Sequence, residues 1–195
     1  MSENQDMIEM ADKYIGFCNN NQTEAANDMR TDMLNNIRDH MYNTQQSEMA
    51  SNSKSAKILI LNQPHLPTKE LENLVDHCLN IGELRKTLEK YNSFSRIIAC
   101  TSAQLTELVP ILSRTQIDAL YILNIGDEMK CLGEPWWNRT TVVYTERQLM
   151  RHLCMKSMLC CYNEGLEHRK QGDFGLANIS FLDSIRALDY SAKFM

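Results

Sequence analysis

The sequence predicts an α/β fold: a doubly wound parallel sheet of four or five strands, followed by a helical hairpin. Two stretches with one grammar carry this reading. Ile97-Ile98-Ala99-Cys100 runs into Thr101-Ser102-Ala103-Gln104, and Val142-Val143-Tyr144 runs into Thr145-Glu146-Arg147-Gln148. Each is an apolar run followed by Thr-x-x-Gln, a capping box. Its threonine hydroxyl accepts from a backbone N–H three residues on, and its glutamine reaches back to the threonine's own N–H. A buried strand that hands over directly to a capped helix is the unit of a parallel sheet. The third observation is Ile58-Leu59-Ile60-Leu61, a short continuous apolar run of the kind a strand needs when both its faces are covered.

The elements follow in chain order. Residues 1–56 are polar and weakly helical. Met7, Ile8, Ala11, Tyr14, Ile15 and Cys18 mark one stripe, and Met33, Leu34, Ile37 and Met41 mark a second. Helices with so few large apolar groups are marginal unless they dock on something. From Asn43 to Ser55 the chain is nearly all polar and reads as a linker.

The α/β domain is assigned to 57–159. After its first strand, Thr68 is expected to cap a helix carrying Leu71, Leu74, Val75 and Cys78, with a very short second strand near Cys78–Ile81. Leu84, Thr87, Leu88 and Tyr91 form the next helical stripe. Arg96–Cys100 is a strand, and Leu105, Leu108, Val109 and Leu112 line the following helix, which Pro110 should kink or shorten. Ala119–Leu123 and Thr141–Tyr144 are the remaining strands. Between them 126–139, with Gly126, Gly133, Pro135, Trp136 and Trp137, reads as a loop over the sheet. Leu149, Leu153, Met155 and Leu159 belong to the last helix of the unit. The expected strand order is 2-1-3-4-5.

At 160–195 the pattern changes. Gly165, Gly172, Phe174, Ala177, Phe181 and Ser184 stand at the spacings of one tetratricopeptide repeat, without its tryptophan and proline positions. Gly172-Asp173 separates two helices, Ala177 is the small residue where they cross, and Phe181 packs from the second. One repeat alone cannot bury its faces, so self-association through this hairpin, or docking on the α/β domain, is expected.

The totals exclude several classes. The 195 residues carry a formal net charge of −5, which argues against nucleic acid or an anionic membrane as partner, since either needs a basic surface. The seven cysteines are odd in number, irregularly spaced and form no C-x-x-C pair. They read as reduced thiols of a cytoplasmic protein, with no metal site and no cofactor. No apolar run is long enough to span a bilayer.

Residues 57–155 resemble, in the order and spacing of elements, the receiver domains of two-component response regulators, a flavodoxin-like family. That resemblance implies acidic magnesium ligands after the first strand, where Asn62-Gln63 stand. It implies a phosphate-accepting aspartate after the third, where Ala99-Cys100-Thr101 stand. It implies a Ser/Thr after the fourth, where Asn124 stands, and a lysine after the fifth, where Tyr144-Thr145 stand. Phosphoryl transfer to a carboxylate needs that carboxylate and a metal, so the chemistry of the family is expected to be lost. The segments Arg96–Leu112, Asp118–Leu123 and Trp136-Trp137 to Thr145 look like the receiver-like modules that precede ADP-ribosyltransferase domains and tetratricopeptide arrays in rotifer and other invertebrate proteins. This resemblance implies a scaffold or regulatory role and transfers no transferase residue.

The function expected is therefore a non-catalytic, intracellular, protein-binding module. Trp136, Trp137, Phe174 and Phe181 are the residues expected to contact a protein partner, because aromatic side chains are enriched at hot spots. The rival is a small enzyme using Cys100, at a strand's carboxyl end beside a helix N-terminus, with His65 from the first strand-to-helix loop. A third reading is an anion bound by the N–H groups at Thr101–Gln104 and Thr145–Gln148. Asp127 and Glu128 are a candidate cation pair after the fourth strand.

Overall fold

The computed structural model describes residues 3–42, 56–91, 94–126 and 134–195; for Glu3, Asn4, Glu134, Pro135 and Trp137 it describes the backbone alone. The expected linker at 43–55 and the Asp127–Glu128 pair lie outside the described residues. The chain divides into two compact units, Ala56–Met150 and a helical unit made of Met1–Ser55 with Arg151–Met195. This differs from boundaries at 57, 159 and 160. The N-terminal helices share a unit with the C-terminal ones, and the α/β unit lies between them in sequence.

The α/β unit holds five parallel strands: β1 (Ala56–Leu61), β2 (Val75–Cys78), β3 (Ser95–Thr101), β4 (Ala119–Leu123) and β5 (Thr140–Val143). Their order is β2-β1-β3-β4-β5, as expected, and every pairing is parallel. The register sets Leu59 beside Ile98 and Cys100 beside Ile122. Side chains alternate across a sheet. Leu59, Leu61, Ile98, Cys100, Leu120 and Ile122 therefore share a face, and they cluster with Leu84 and Leu88 of α3 (Ile81–Lys90) and Leu105, Leu108, Ile111 and Leu112 of α4 (Leu105–Leu112). Ile58, Ile60, Ile97 and Ala99 on the opposite face are equally buried, which is why the strands read as continuous apolar runs.

One expected helix is not formed. Residues 69–71 make only a 3-10 turn, and Val75–Cys78 is the edge strand β2. Leu71, Leu74, Val75 and Cys78 have helical spacing, yet Leu71 and Cys78 are buried from a turn and a strand. Thr68 makes no cap; its hydroxyl pairs with His77 Nε2 at 2.7 Å. The working cap is one segment later, where Asn80 Oδ1 accepts from the Glu83 N–H at the start of α3. Pro110 lies in an α4 of only 8 residues, two positions before its end.

In the helical unit α1 (Glu3–Asn19) and α2 (Thr23–Tyr42) form one pair. The part of α5 (Glu146–Lys170) from Arg151 onward forms another with α6 (Phe174–Ser191). The two turns have the same hydrogen bonds. The Gln22 N–H reaches the Phe17 carbonyl and the Asn21 N–H that of Cys18; the Asp173 N–H reaches the His168 carbonyl and the Gly172 N–H that of Arg169. Both are Schellman ends with a left-handed residue, Asn21 at φ 56° and Gly172 at φ 82°. Ala26 and Ala177, five residues after each, are both buried.

Within the second pair, Gly165 lies under the Phe181 ring so closely that a Cβ there would sit 2.6 Å from Cε1. Ser184 Oγ donates to the Met158 carbonyl at 3.0 Å. The first pair docks on α6. Tyr14 shares a buried 3.0 Å hydrogen bond with Ser191 Oγ, and Arg30 pairs with Asp189 at 2.8 Å. His40 lies edge-on to Tyr162 and stacks on Phe181. The weak stripe at Met7, Ala11 and Tyr14 is fully packed, as are Met33 and Ile37.

Candidate functional site

Two places gather the residues singled out by sequence. The first is the carboxyl edge of the sheet. Its Thr101–Gln104 capping box forms as expected, with the Gln104 Oε1 accepting from the Thr101 N–H at 2.9 Å. At the second box Gln148 reaches one residue further back, accepting from the Tyr144 N–H at 2.9 Å while its own N–H donates to Thr145 Oγ1 at 3.1 Å. In both, the polar groups that would meet an anion satisfy the helix ends.

Cys100 and His65 are not brought together as a pair. Cys100 belongs to the apolar cluster under α3 and α4 and is 1% exposed, and burial pushes its thiol up to about 12. A thiol so held is protonated at neutral pH and is a poor nucleophile. His65 is exposed, and its Nε2 lies 2.8 Å from Glu146 Oε1. That pair stands in solvent, where such contacts contribute little.

Other groups are held away from titration. Burial, then the neighbouring Arg151, lowers His152 to about 4. Burial raises Cys154 to about 12 and raises Cys161 still further. Among the described residues no three His, Cys, Asp or Glu side chains come together as a metal set. Also among them, no helix is long and apolar enough to cross a membrane.

The second place is α6. Phe174 is 48% exposed, and Leu176, Ile179 and Leu182, three residues apart, are 45%, 57% and 44% exposed. Phe181, expected at a partner surface, is fully buried over Gly165 and against Tyr162. It holds the helix pair together and has no surface to offer. Trp136 is half-buried and packs on the α/β core, so most of its indole is an internal contact; the Trp137 side chain lies outside the described residues.

Sequence reasoning missed Leu176, Ile179 and Leu182. Their three-residue spacing was a signal for a second apolar stripe on α6, beside the one carrying Ala177, Phe181, Ser184 and Leu188. It also missed the Thr68–His77 pair, because the spacing of Leu71, Leu74, Val75 and Cys78 predicts a helix where β2 runs.

No family model, curated protein or solved structure matches this chain.

Proposed function

We propose that the chain is a non-catalytic scaffold or regulatory module that acts inside the cell by binding protein, and that α6 is its contact surface. The observation that carries this reading is the exposed row Leu176, Ile179 and Leu182 on one face of α6. Large apolar side chains gathered on one helix face mark association sites. The occupant is a second copy of this chain. Asp183 and Arg186 continue the same face, paired at 2.7 Å with the guanidinium 68% exposed. A two-fold axis at Ile179 lays Leu176 of one copy on Leu182 of the other in antiparallel α6 helices, so the apolar row is complementary to itself.

The strand order supports a receiver-like, flavodoxin-like ancestry for the α/β unit. Asn62, Cys100, Asn124 and Tyr144 stand where that family needs acids, a hydroxyl and a lysine. The Gly165–Phe181 contact and buried Ala177 support a tetratricopeptide-like second helix pair. The test is sedimentation velocity on the full chain over a dilution series, beside the double variant Ile179→Asp, Leu182→Asp. The wild type is expected to associate, and the variant to sediment as a monomer with unchanged far-UV circular dichroism. A wild type that stays monomeric throughout, or a variant that associates equally, overturns the reading.

A further inference from the structure

Three arginines that no periodic pattern relates are gathered by the topology at the amino edge of the sheet. Arg85 comes from α3, Arg96 from the start of β3, and Arg114 from the segment between α4 and β4. They line one cavity of about 350 Å³, with Leu88 and Ile111 from the edge of the core and Glu89, Thr115 and Gln116 completing the wall.

The charge there is unbalanced. Among the described residues none of the three guanidinium groups makes an ion pair or a hydrogen bond, and Arg96 Nε is buried with no partner. The nearby acids leave them unmatched. Glu89 is exposed on the wall. Asp118 Oδ2 accepts from the Arg96 backbone N–H at 2.8 Å, fixing the start of β3 and leaving the Arg96 side chain unpaired. A buried guanidinium nitrogen without a partner is costly. Three arginines lining one cleft, Arg96 half-buried and Arg85 and Arg114 exposed, on a chain of net charge −5, are not explained by a generally basic surface.

We propose that this cavity binds a small phosphorylated molecule through Arg85, Arg96 and Arg114. Guanidinium forks match phosphate oxygens bidentately and remain charged at any physiological pH. Three positive charges call for a di- or trianion, and a monocarboxylate leaves most of them unmatched. The volume falls at the lower end of small-molecule pockets, about 300–1,000 Å³, which suits a phosphate ester with a small body and not a polymer. Leu88 and Ile111 give that body an apolar floor. The site uses no residue of α6 and none of the carboxyl edge, so its test is independent of that of the proposed association.

The test is titration calorimetry of inorganic pyrophosphate into the full chain, repeated with citrate as a tricarboxylate of comparable charge. Pyrophosphate is expected to bind and citrate to bind more weakly. Arg85→Gln and Arg114→Gln change exposed side chains and should leave the fold intact. Each is expected to weaken pyrophosphate about tenfold or more, the worth of a hydrogen bond to a charged group. Arg38→Gln, on the exposed side of α2, should leave affinity unchanged. No heat with pyrophosphate overturns the proposal, as does equal weakening by Arg38→Gln or no weakening by the two cavity variants. Citrate binding as tightly as pyrophosphate overturns the assignment to a phosphoryl group.

Discussion

The two helix pairs of the helical unit end in the same turn and interlock in opposite ways. Counting from the left-handed residue, Tyr14 in the first pair stands where Gly165 stands in the second, and Arg30 stands where Phe181 stands. In the second pair the small residue lies under the large one, so α5 and α6 close on each other. In the first pair the bulk has moved to Tyr14, and the position opposite is a charge. Both reach outward to α6, to Ser191 and Asp189. The second pair is locked by a ring over a glycine; the first packs α1 on α2 and is tied to α6 as well. Local turn chemistry therefore sets where a helix pair folds back, while the pairing of large with small sets how its two helices interlock.

The largest expected effect breaks the internal lock. Phe181→Ala removes a fully buried ring that touches Tyr162, His40 and the Gly165 backbone. It should cost about 3–5 kcal/mol, measured by urea unfolding. Because the first pair leans on α6, hydrogen exchange in α1 and α2 should quicken as well. Protection of α1 and α2 that survives this variant would mean that the packing of α1 on α2 suffices without α6, and the contrast would fail.

This asymmetry also explains what was legible in the sequence. Gly165, Ala177 and Phe181 advertise a helix crossing because small and large residues alternate at fixed spacing within one stretch of chain. The first pair offered only Met7, Ala11, Tyr14, Met33 and Ile37, and its partners Ser191 and Asp189 come from the far end of the sequence. Its turn uses asparagine where a glycine would have been noticed. In the α/β unit, Ile58–Leu61 and Ala119–Leu123 were readable because a strand buried on both faces must be continuously apolar. The edge strand Val75-Asp76-His77-Cys78 was not, since four residues, buried only at the two ends, show no alternation to outweigh a chance helical spacing. The candidate sites fared worse. Phe181 was correctly seen as packing and wrongly offered to a partner, and Cys100 had the position of a nucleophile without the exposure. Arg85, Arg96 and Arg114 meet only through strand order, which no local pattern encodes.

A smaller effect sharpens the packing half of the comparison. Ala177 is buried and Asn178 beside it is exposed on α6. Ala177→Leu overpacks the crossing and should cost about 1–3 kcal/mol, whereas Asn178→Leu should be nearly neutral. The check is the difference between the two melting temperatures under one set of conditions. Equal shifts would show that α6 is not fixed against α5 at Ala177, and the interlock by small and large residues would lose its second anchor.

The smallest effect tests whether the two turns are equivalent. Gly172 at φ 82° has nothing within 4 Å of where a Cβ would be, so a side chain there meets no wall and only the backbone resists it. An alanine in the left-handed region costs roughly 1–2 kcal/mol. Asparagine tolerates that region better, because its short polar side chain bonds locally, and Asn21 holds it in the first turn at φ 56°. Gly172→Asn therefore transplants the first turn's solution into the second. It should cost only a few tenths of a kcal/mol, clearly less than Gly172→Ala. The two variants are compared by chemical denaturation, where their difference is larger than the error of matched curves. If asparagine is as costly as alanine, the shared hydrogen bonds conceal two different turns, and the first helix pair has some other reason to fold back where it does.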